Sequence, residues 1–247
     1  MQQSSWPASL WVVRHGESAG NVARDLAEAE QRERIDIAMR DVDVPLSELG
    51  ERQSEALGLW IAALPKDEQP TVLWLSPYVR AQQTATLAAR AAGLDIPWVV
   101  DERLREREFG VLDGLTRRGI AALYAEESER RARLGKFYHR PPGGESWSDV
   151  LLRLRASIDD MRREAAGERV LLVAHQVVVL LVRYVLEQLD EPQILAIDKN
   201  AEVANCSVTS YRLENGAPVL VRYNETAPME DQNEAVTSEP DVPGGPH

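Results

Sequence analysis

A single cysteine, Cys206, stands in the 247-residue chain, so neither a disulfide within the chain nor a cysteine-rich zinc module can form. The simplest reading of that thiol is a small, half-buried strand residue. Long apolar runs are also missing. The longest, 170–186, is interrupted by His175, Gln176 and Arg183 and falls short of the roughly 20 apolar residues of a membrane helix. A strand, a turn and a buried helix account for it better. No basic segment precedes an apolar stretch at the start, so no secretory signal is expected and the chain reads as cytoplasmic. Basic residues are outnumbered, 28 against 40 acidic, for a formal charge of −12. That balance argues against nucleic acid and anionic membrane as partners, since both need basic surface.

With 44% hydrophobic and 28% charged residues, the composition is that of an ordinary globular chain able to bury a core. The charge is uneven. From Asn224 onward come Glu225, Glu230, Asp231, Glu234, Glu239 and Asp241, with four prolines and no Lys or Arg. This reads as a disordered acidic tail, 224–247, carrying half of the net charge, behind a catalytic domain over 1–223. His247 at its tip has no evident role.

Within the domain, strand-like segments at 9–14, 71–76, 97–100 and 169–175 alternate with helical patterns at 18–31, 47–64, 77–92, 116–134, 146–166 and 177–189. A hairpin over 205–213 and 218–223 turns at Asn215-Gly216. Ser76-Pro77 reads as a helix cap, and Ser146 with Asp149 as a capping box. Such alternation predicts a three-layer α/β/α sandwich around a mostly parallel sheet.

Chemistry in such a sheet belongs at the carboxyl ends of its strands. His15 ends the first strand and His175 the fourth, while Arg14 and Arg80 lie at or just past strand ends. Guanidinium groups match phosphoryl oxygens with paired hydrogen bonds, and a central histidine can attack phosphorus. A proton donor is also needed. Glu102, Glu106, Glu108 and Asp113 follow the third strand, and spacing alone leaves all four open.

Arg14-His15-Gly16-Glu17-Ser18 with Asn21 resembles the signature of the histidine phosphatase, or phosphoglycerate mutase-like, superfamily. Further segments are similar in order: Val44-Pro45-Leu46-Ser47-Glu48-Leu49-Gly50 with Gln53, Ser76-Pro77 through Arg80, Leu104-Arg105-Glu106, Pro142-Gly143-Gly144-Glu145-Ser146, and His175. The resemblance implies the phosphoglycerate mutase-like fold and no cofactor or metal. It implies a phosphohistidine formed on His15, with Arg14, Arg80, His175 and Asn21 holding the phosphoryl group. Glu106 would be the proton donor, with Glu108 as the fallback.

Only about thirty residues separate Gly114 from Glu145, where mutases of the family carry a longer insertion, so the phosphatase branch is favoured. Lys136 through Ser146, with His175-Gln176, resembles the fructose-2,6-bisphosphatase domain of a bifunctional regulator. This resemblance implies that Tyr124, Lys136 and Gln176, together with Ser18, contact substrate. Leu180 replaces an arginine of that domain, with Arg183 as a possible substitute, and Trp147 replaces a tyrosine. Arg130, Arg131 and Arg133 could form a basic lid. The expected activity is hydrolysis of a small phosphorylated metabolite such as a sugar phosphate. A phosphoglycerate mutase and a catalytically weak binding protein are the alternatives. The sequence leaves the oligomeric state open, a homodimer among the options.

Overall fold

A computed structural model describes residues 6–239. Residues 1–5 and 240–247, including His247 and the end of the acidic segment, lie outside the described residues. Six strands form one sheet: β1 (Ser9–Arg14), β2 (Val72–Leu75), β3 (Trp98–Val100), β4 (Arg169–Ala174), β5 (Val208–Glu214) and β6 (Ala217–Glu225). Their order is β3-β2-β4-β1-β5-β6; the first four are mutually parallel, and β5 and β6 run antiparallel at one edge.

The central strands are apolar on both faces because helices cover both faces. In β4, Val170, Leu172 and Ala174 enter one core and Leu171 and Val173 the other. The first core is closed by α6 (Trp147–Glu164) and α7 (Gln176–Leu186), the second by α2 (Glu48–Ala63) and α3 (Val79–Ala92). The remaining helices are α1 (Ala19–Ala29), α4 (Arg117–Leu123), α5 (Ala125–Leu134), α8 (Glu191–Asn200) and α9 (Ala227–Glu230). The expected three-layer sandwich is therefore present, and no helix of the described residues is long and apolar enough to cross a membrane.

Local signals account for most boundaries. Ser146 caps α6 in a reciprocal box with Asp149. The expected cap at Ser76 is not used as one: α3 begins after Tyr78, with no side-chain cap, and the Ser76 hydroxyl turns toward His175 instead. The helix expected over 116–134 breaks at Tyr124 (φ −140°, ψ 47°), where the ring folds back onto Leu112, Leu115 and Ile120. Cys206 is not half-buried in a strand. It is fully buried in the turn before β5, with φ +54°, and burial pushes its thiol up to about 12.

The acidic segment departs most from expectation. β6 continues to Glu225, and α9 packs on α2 with Met229 fully buried. The chain then runs back across the carboxyl ends of the strands to Glu239, which is 2% exposed. Composition suggested disorder because acids and prolines dominate. Met229, Pro228 and backbone hydrogen bonds to Gln53 and Asn205 hold 224–239 against the fold.

Candidate active site

The loop after β1 sets the site. Its Gly16 nitrogen donates to Thr84 Oγ1 and its Glu17 nitrogen to Gln53 Oε1, tying it to α3 and α2. The start of α2 presses against it so closely that a Cβ on Gly50 would lie 1.9 Å from the Glu17 carbonyl oxygen. Ser18 caps α1 in a box with Asn21, which fixes the Asn21 amide so that its Nδ2 faces the cleft.

His15 is buried, and its Nδ1 lies 2.7 Å from the Gly16 carbonyl. A carbonyl only accepts, so Nδ1 carries the proton and Nε2 keeps its lone pair. Arg80 Nε donates to that lone pair at 3.2 Å. Burial, then the neighbouring guanidinium groups of Arg80 and Arg14, hold the imidazole well below its ordinary pKa. The result is a neutral ring with an available nucleophilic nitrogen.

Around it stand the other expected groups. His175 closes β4, its ring centroid 5.2 Å from that of His15. Ser76 Oγ accepts from Tyr78 N–H and lies 2.8 Å from His175 Nε2; when its own proton is given to Nε2, the ring proton sits on Nδ1. That buried Nδ1 makes no hydrogen bond among the described residues, although Glu106 Oε2 is 3.5 Å away. A buried donor with no protein acceptor suits an oxygen of a bound anion. Burial and Arg80 lower the His175 pKa as well. Arg80 is clamped by Asp41, with Nη1 2.6 Å from the Asp41 carbonyl and 3.0 Å from its Oδ1. Arg14 Nη1 donates to Gln176 Oε1 and to the Val203 carbonyl.

Glu106 lines the same cleft. Its loop is pinned by Arg153, whose guanidinium donates to the carbonyls of Arg103, Arg105 and Glu106 while pairing with Glu145. The arginines in turn hold the Glu145 carboxyl below its usual range against the opposing effect of burial. Beyond the His15–Arg14–Arg80 centre, the cleft wall is mixed: Ile35, Ile37, Met39, Phe109, Leu112 and Leu115 stand beside the charged side chains of Arg24, Asp41 and Asp113. Donor atoms of His15, Glu106 and His175 lie within 4.8 Å of one another, close enough to converge on one ion. Both His15 nitrogens are already engaged, one by Gly16 and one by Arg80, so a metal there would have to displace a cation.

A family model described as histidine phosphatase superfamily (branch 1) matches residues 10–226. The chain belongs to the histidine phosphatase superfamily. It is 34% identical over 194 residues to 2,3-bisphosphoglycerate-dependent phosphoglycerate mutase 2 of Gloeobacter violaceus, covering 77% of this chain and 81% of that protein. Identity is also 34% over 168 residues with the probable phosphoglycerate mutase GpmB of Photorhabdus laumondii, covering 67% and 68% of the two chains. Among solved structures, a phosphoglycerate mutase from Bacillus anthracis superposes with a TM-score of 0.71 at 20% identity, over 95% of this chain and 100% of that one. A mycobacterial glucosyl-3-phosphoglycerate phosphatase, solved with VO3, gives 0.68 at 26% identity over 88% and 99%.

In this member of the superfamily, His15, Arg14, Arg80, His175, Glu106, Asn21, Ser18 and Gln176 are gathered at one centre. Glu108 stands aside, half-exposed at the rim near Tyr78 and Arg105. Two expected substrate contacts are elsewhere. Tyr124 packs behind the wall formed by Leu112 and Leu115, outside the cleft lining. Lys136 pairs with Asp198 at 2.6 Å and lies over the Trp147 ring. Nor does Arg183 replace the missing arginine at Leu180: it pairs with Glu187 and stacks on Tyr223 at 3.9 Å, away from the cleft. Of the proposed basic lid, Arg130 is paired with Glu127, which also holds buried His139, and none of Arg130, Arg131 and Arg133 lines the cleft.

Sequence reasoning missed Asp41, Ser76 as a histidine partner, Arg153, Asn205 and Glu239. Glu145 and Gln53 lay inside quoted motifs without a role. Several of their partners are far away in sequence, 36 residues for Gln53 and Glu17, 39 for Asp41 and Arg80, 99 for Ser76 and His175 and 225 for Glu239 and Arg14, so no local pattern carries those signals. Gln53, Ser76, Asn205 and Glu239 are buried polar residues, whereas Asp41, Arg153 and Glu145 are only partly buried.

Proposed function

We propose that this chain is a metal-independent phosphomonoesterase that works through a phosphohistidine on His15. The observation that carries the reading is a neutral His15 whose unprotonated Nε2 accepts from Arg80 and sits among Arg14, Asn21 and a His175 Nδ1 that makes no hydrogen bond among the described residues, with the Glu106 carboxyl across the same cleft. On substrate binding, Arg80 Nε exchanges Nε2 for a phosphoryl oxygen, and Nε2 attacks phosphorus. The bond from phosphorus to the leaving oxygen breaks, and Glu106 gives that oxygen its proton. Glu106, now a carboxylate, takes a proton from water, which attacks phosphorus and breaks the P–N bond, restoring neutral His15. Positioning and cationic stabilisation supply what phosphoryl transfer chiefly requires.

Hydrolysis is placed before mutase chemistry because the apolar part of the wall, Ile35, Ile37, Met39 and Phe109, suits an uncharged or apolar organic group on the substrate. Arg24 on the same lining is a cation that a mutase's second anionic group could use. Mutase relatives at 34% identity make that activity the second reading.

A panel of phosphomonoesters assayed in EDTA tests this directly, with aryl and alkyl esters beside fructose 2,6-bisphosphate and 3-phosphoglycerate. Hydrolysis should persist in EDTA, with kcat/KM highest for apolar esters. Loss of activity in EDTA would refute metal independence, and faster conversion of 3- to 2-phosphoglycerate than release of phosphate would favour the mutase.

A further inference from the structure

The carboxylate of Glu239 lies in the anion cradle itself. Its Oε2 is 2.6 Å from Arg14 Nη2 and also accepts from Asn21 Nδ2, while its backbone carbonyl lies 3.4 Å from Arg14 Nη1. These are groups that hold a phosphoryl oxygen in the reading above, and 225 residues separate Glu239 from Arg14. The fit is incomplete. Among the described residues Glu239 Oε1 is buried without a hydrogen-bond partner, as is Arg14 Nε, so a planar carboxylate leaves part of a cradle suited to a tetrahedral anion unused.

The segment leading to Glu239 is fastened to the same scaffold as the catalytic loop. Gln53 accepts from Glu17 N–H through Oε1 and donates through Nε2 to the Ala235 carbonyl and Thr237 Oγ1. Asn205 donates from Nδ2 to the His15 carbonyl, while its backbone nitrogen donates to the Thr237 carbonyl and its Oδ1 accepts from Thr237 Oγ1. Both side chains are fully buried. Each joins the loop bearing the nucleophile to the strap bearing Glu239.

We propose that residues 231–239 form an intrinsic strap whose Glu239 carboxylate is a tethered competitor for the phosphate seat on Arg14 and Asn21. Binding of the phosphoryl group then requires Glu239 to leave. A tethered ligand competes at an effective concentration that does not change with dilution, so the strap raises the substrate concentration needed for half-maximal rate by a constant factor. If the strap fills the seat about nine-tenths of the time, apparent affinity for the anion is weakened about tenfold. The proposal rests on the phosphatase reading for its consequence but not for its test.

The test is calorimetric titration of the full-length protein with inorganic phosphate, alongside KM for 4-nitrophenyl phosphate, for wild type, Glu239→Gln and Glu239→Ala. The strap predicts about tenfold tighter phosphate binding in both variants and a KM lowered by a similar factor, with kcat little changed. Glu239→Gln preserves shape, so a shared effect reports the charge rather than misfolding. Unchanged or weakened phosphate binding in both variants would overturn the strap, the weakened case marking Glu239 as a supporting residue of the site. Tighter phosphate binding without turnover would keep the strap and sink the hydrolase reading. Turnover with unchanged phosphate affinity would do the reverse.

Discussion

Replacing Glu106 with Gln keeps the side chain's size and one acceptor while removing its ability to pass a proton. In the cleft, Glu106 Oε1 accepts from Arg107 N–H at 2.9 Å, and Oε2 sits 3.5 Å from His175 Nδ1. The amide can keep the first contact, so the loop pinned by Arg153 should hold its place. What is lost is general acid catalysis, worth about 10²–10⁴-fold, or about 2.7–5.4 kcal/mol of barrier. The assay separates this from a structural effect by leaving group. For substrates that bind and transfer, kcat/KM reports steps through formation of the phosphohistidine. An alkyl phosphate, whose alkoxide needs a proton, should lose the full factor. A nitrophenyl ester, whose leaving group departs unprotonated, should lose little in kcat/KM even where later hydrolysis of the phosphoenzyme slows kcat. Glu108→Gln should resemble wild type on both, because that carboxylate is half-exposed and no nearer than 3.5 Å to Tyr78 Oη. Equal losses on the two esters in Glu106→Gln, or the leaving-group pattern appearing in Glu108→Gln instead, would refute the assignment.

Two further outcomes follow from the buried centre. Because His15 and His175 are held neutral, the unfolded chain takes up protons below about pH 6.5 that the native protein does not. Stability should therefore fall as pH falls from about 6.5, by about 1.4 kcal/mol per pH unit for each ring until its folded pKa is reached, with His139 adding in the same direction. Urea midpoints flat between pH 7 and 5.5 would show that the rings titrate normally in the fold. At Gly50, a methyl group would lie 1.9 Å from the Glu17 carbonyl oxygen, so Gly50→Ala must push α2 off the catalytic loop. Its thermal midpoint should drop by several degrees and its phosphate affinity should fall; a variant with wild-type values for both would show that the contact is not needed.

The parts of the molecule legible in the sequence are those with local causes. Apolar runs ending in His15 and His175 marked β1 and β4, since a strand buried on both faces leaves its first polar residue at the sheet's edge. The Asn215-Gly216 turn marked the β5–β6 hairpin. α8 went unnoticed although Asp190 and Gln193 form a capping box with Pro192 in the first turn, a signal the chain did carry. The break at Tyr124 and the buried run to Glu239 were not legible, because each depends on a wall or a cradle assembled from distant segments. For the same reason the positions of Tyr124 and Lys136, assigned by resemblance to a bisphosphatase, were not legible: Tyr124 packs on Leu112 and Leu115 and Lys136 pairs with Asp198, both outside the cleft lining.

The most direct measurement is the covalent intermediate. The protein is mixed with a ³²P-labelled phosphomonoester, quenched in alkali and mapped by peptide. Label stable to alkali and lost in acid should appear on the peptide containing His15 and vanish in His15→Ala together with turnover. Label on another residue, or hydrolysis by His15→Ala at the wild-type rate, would contradict the account.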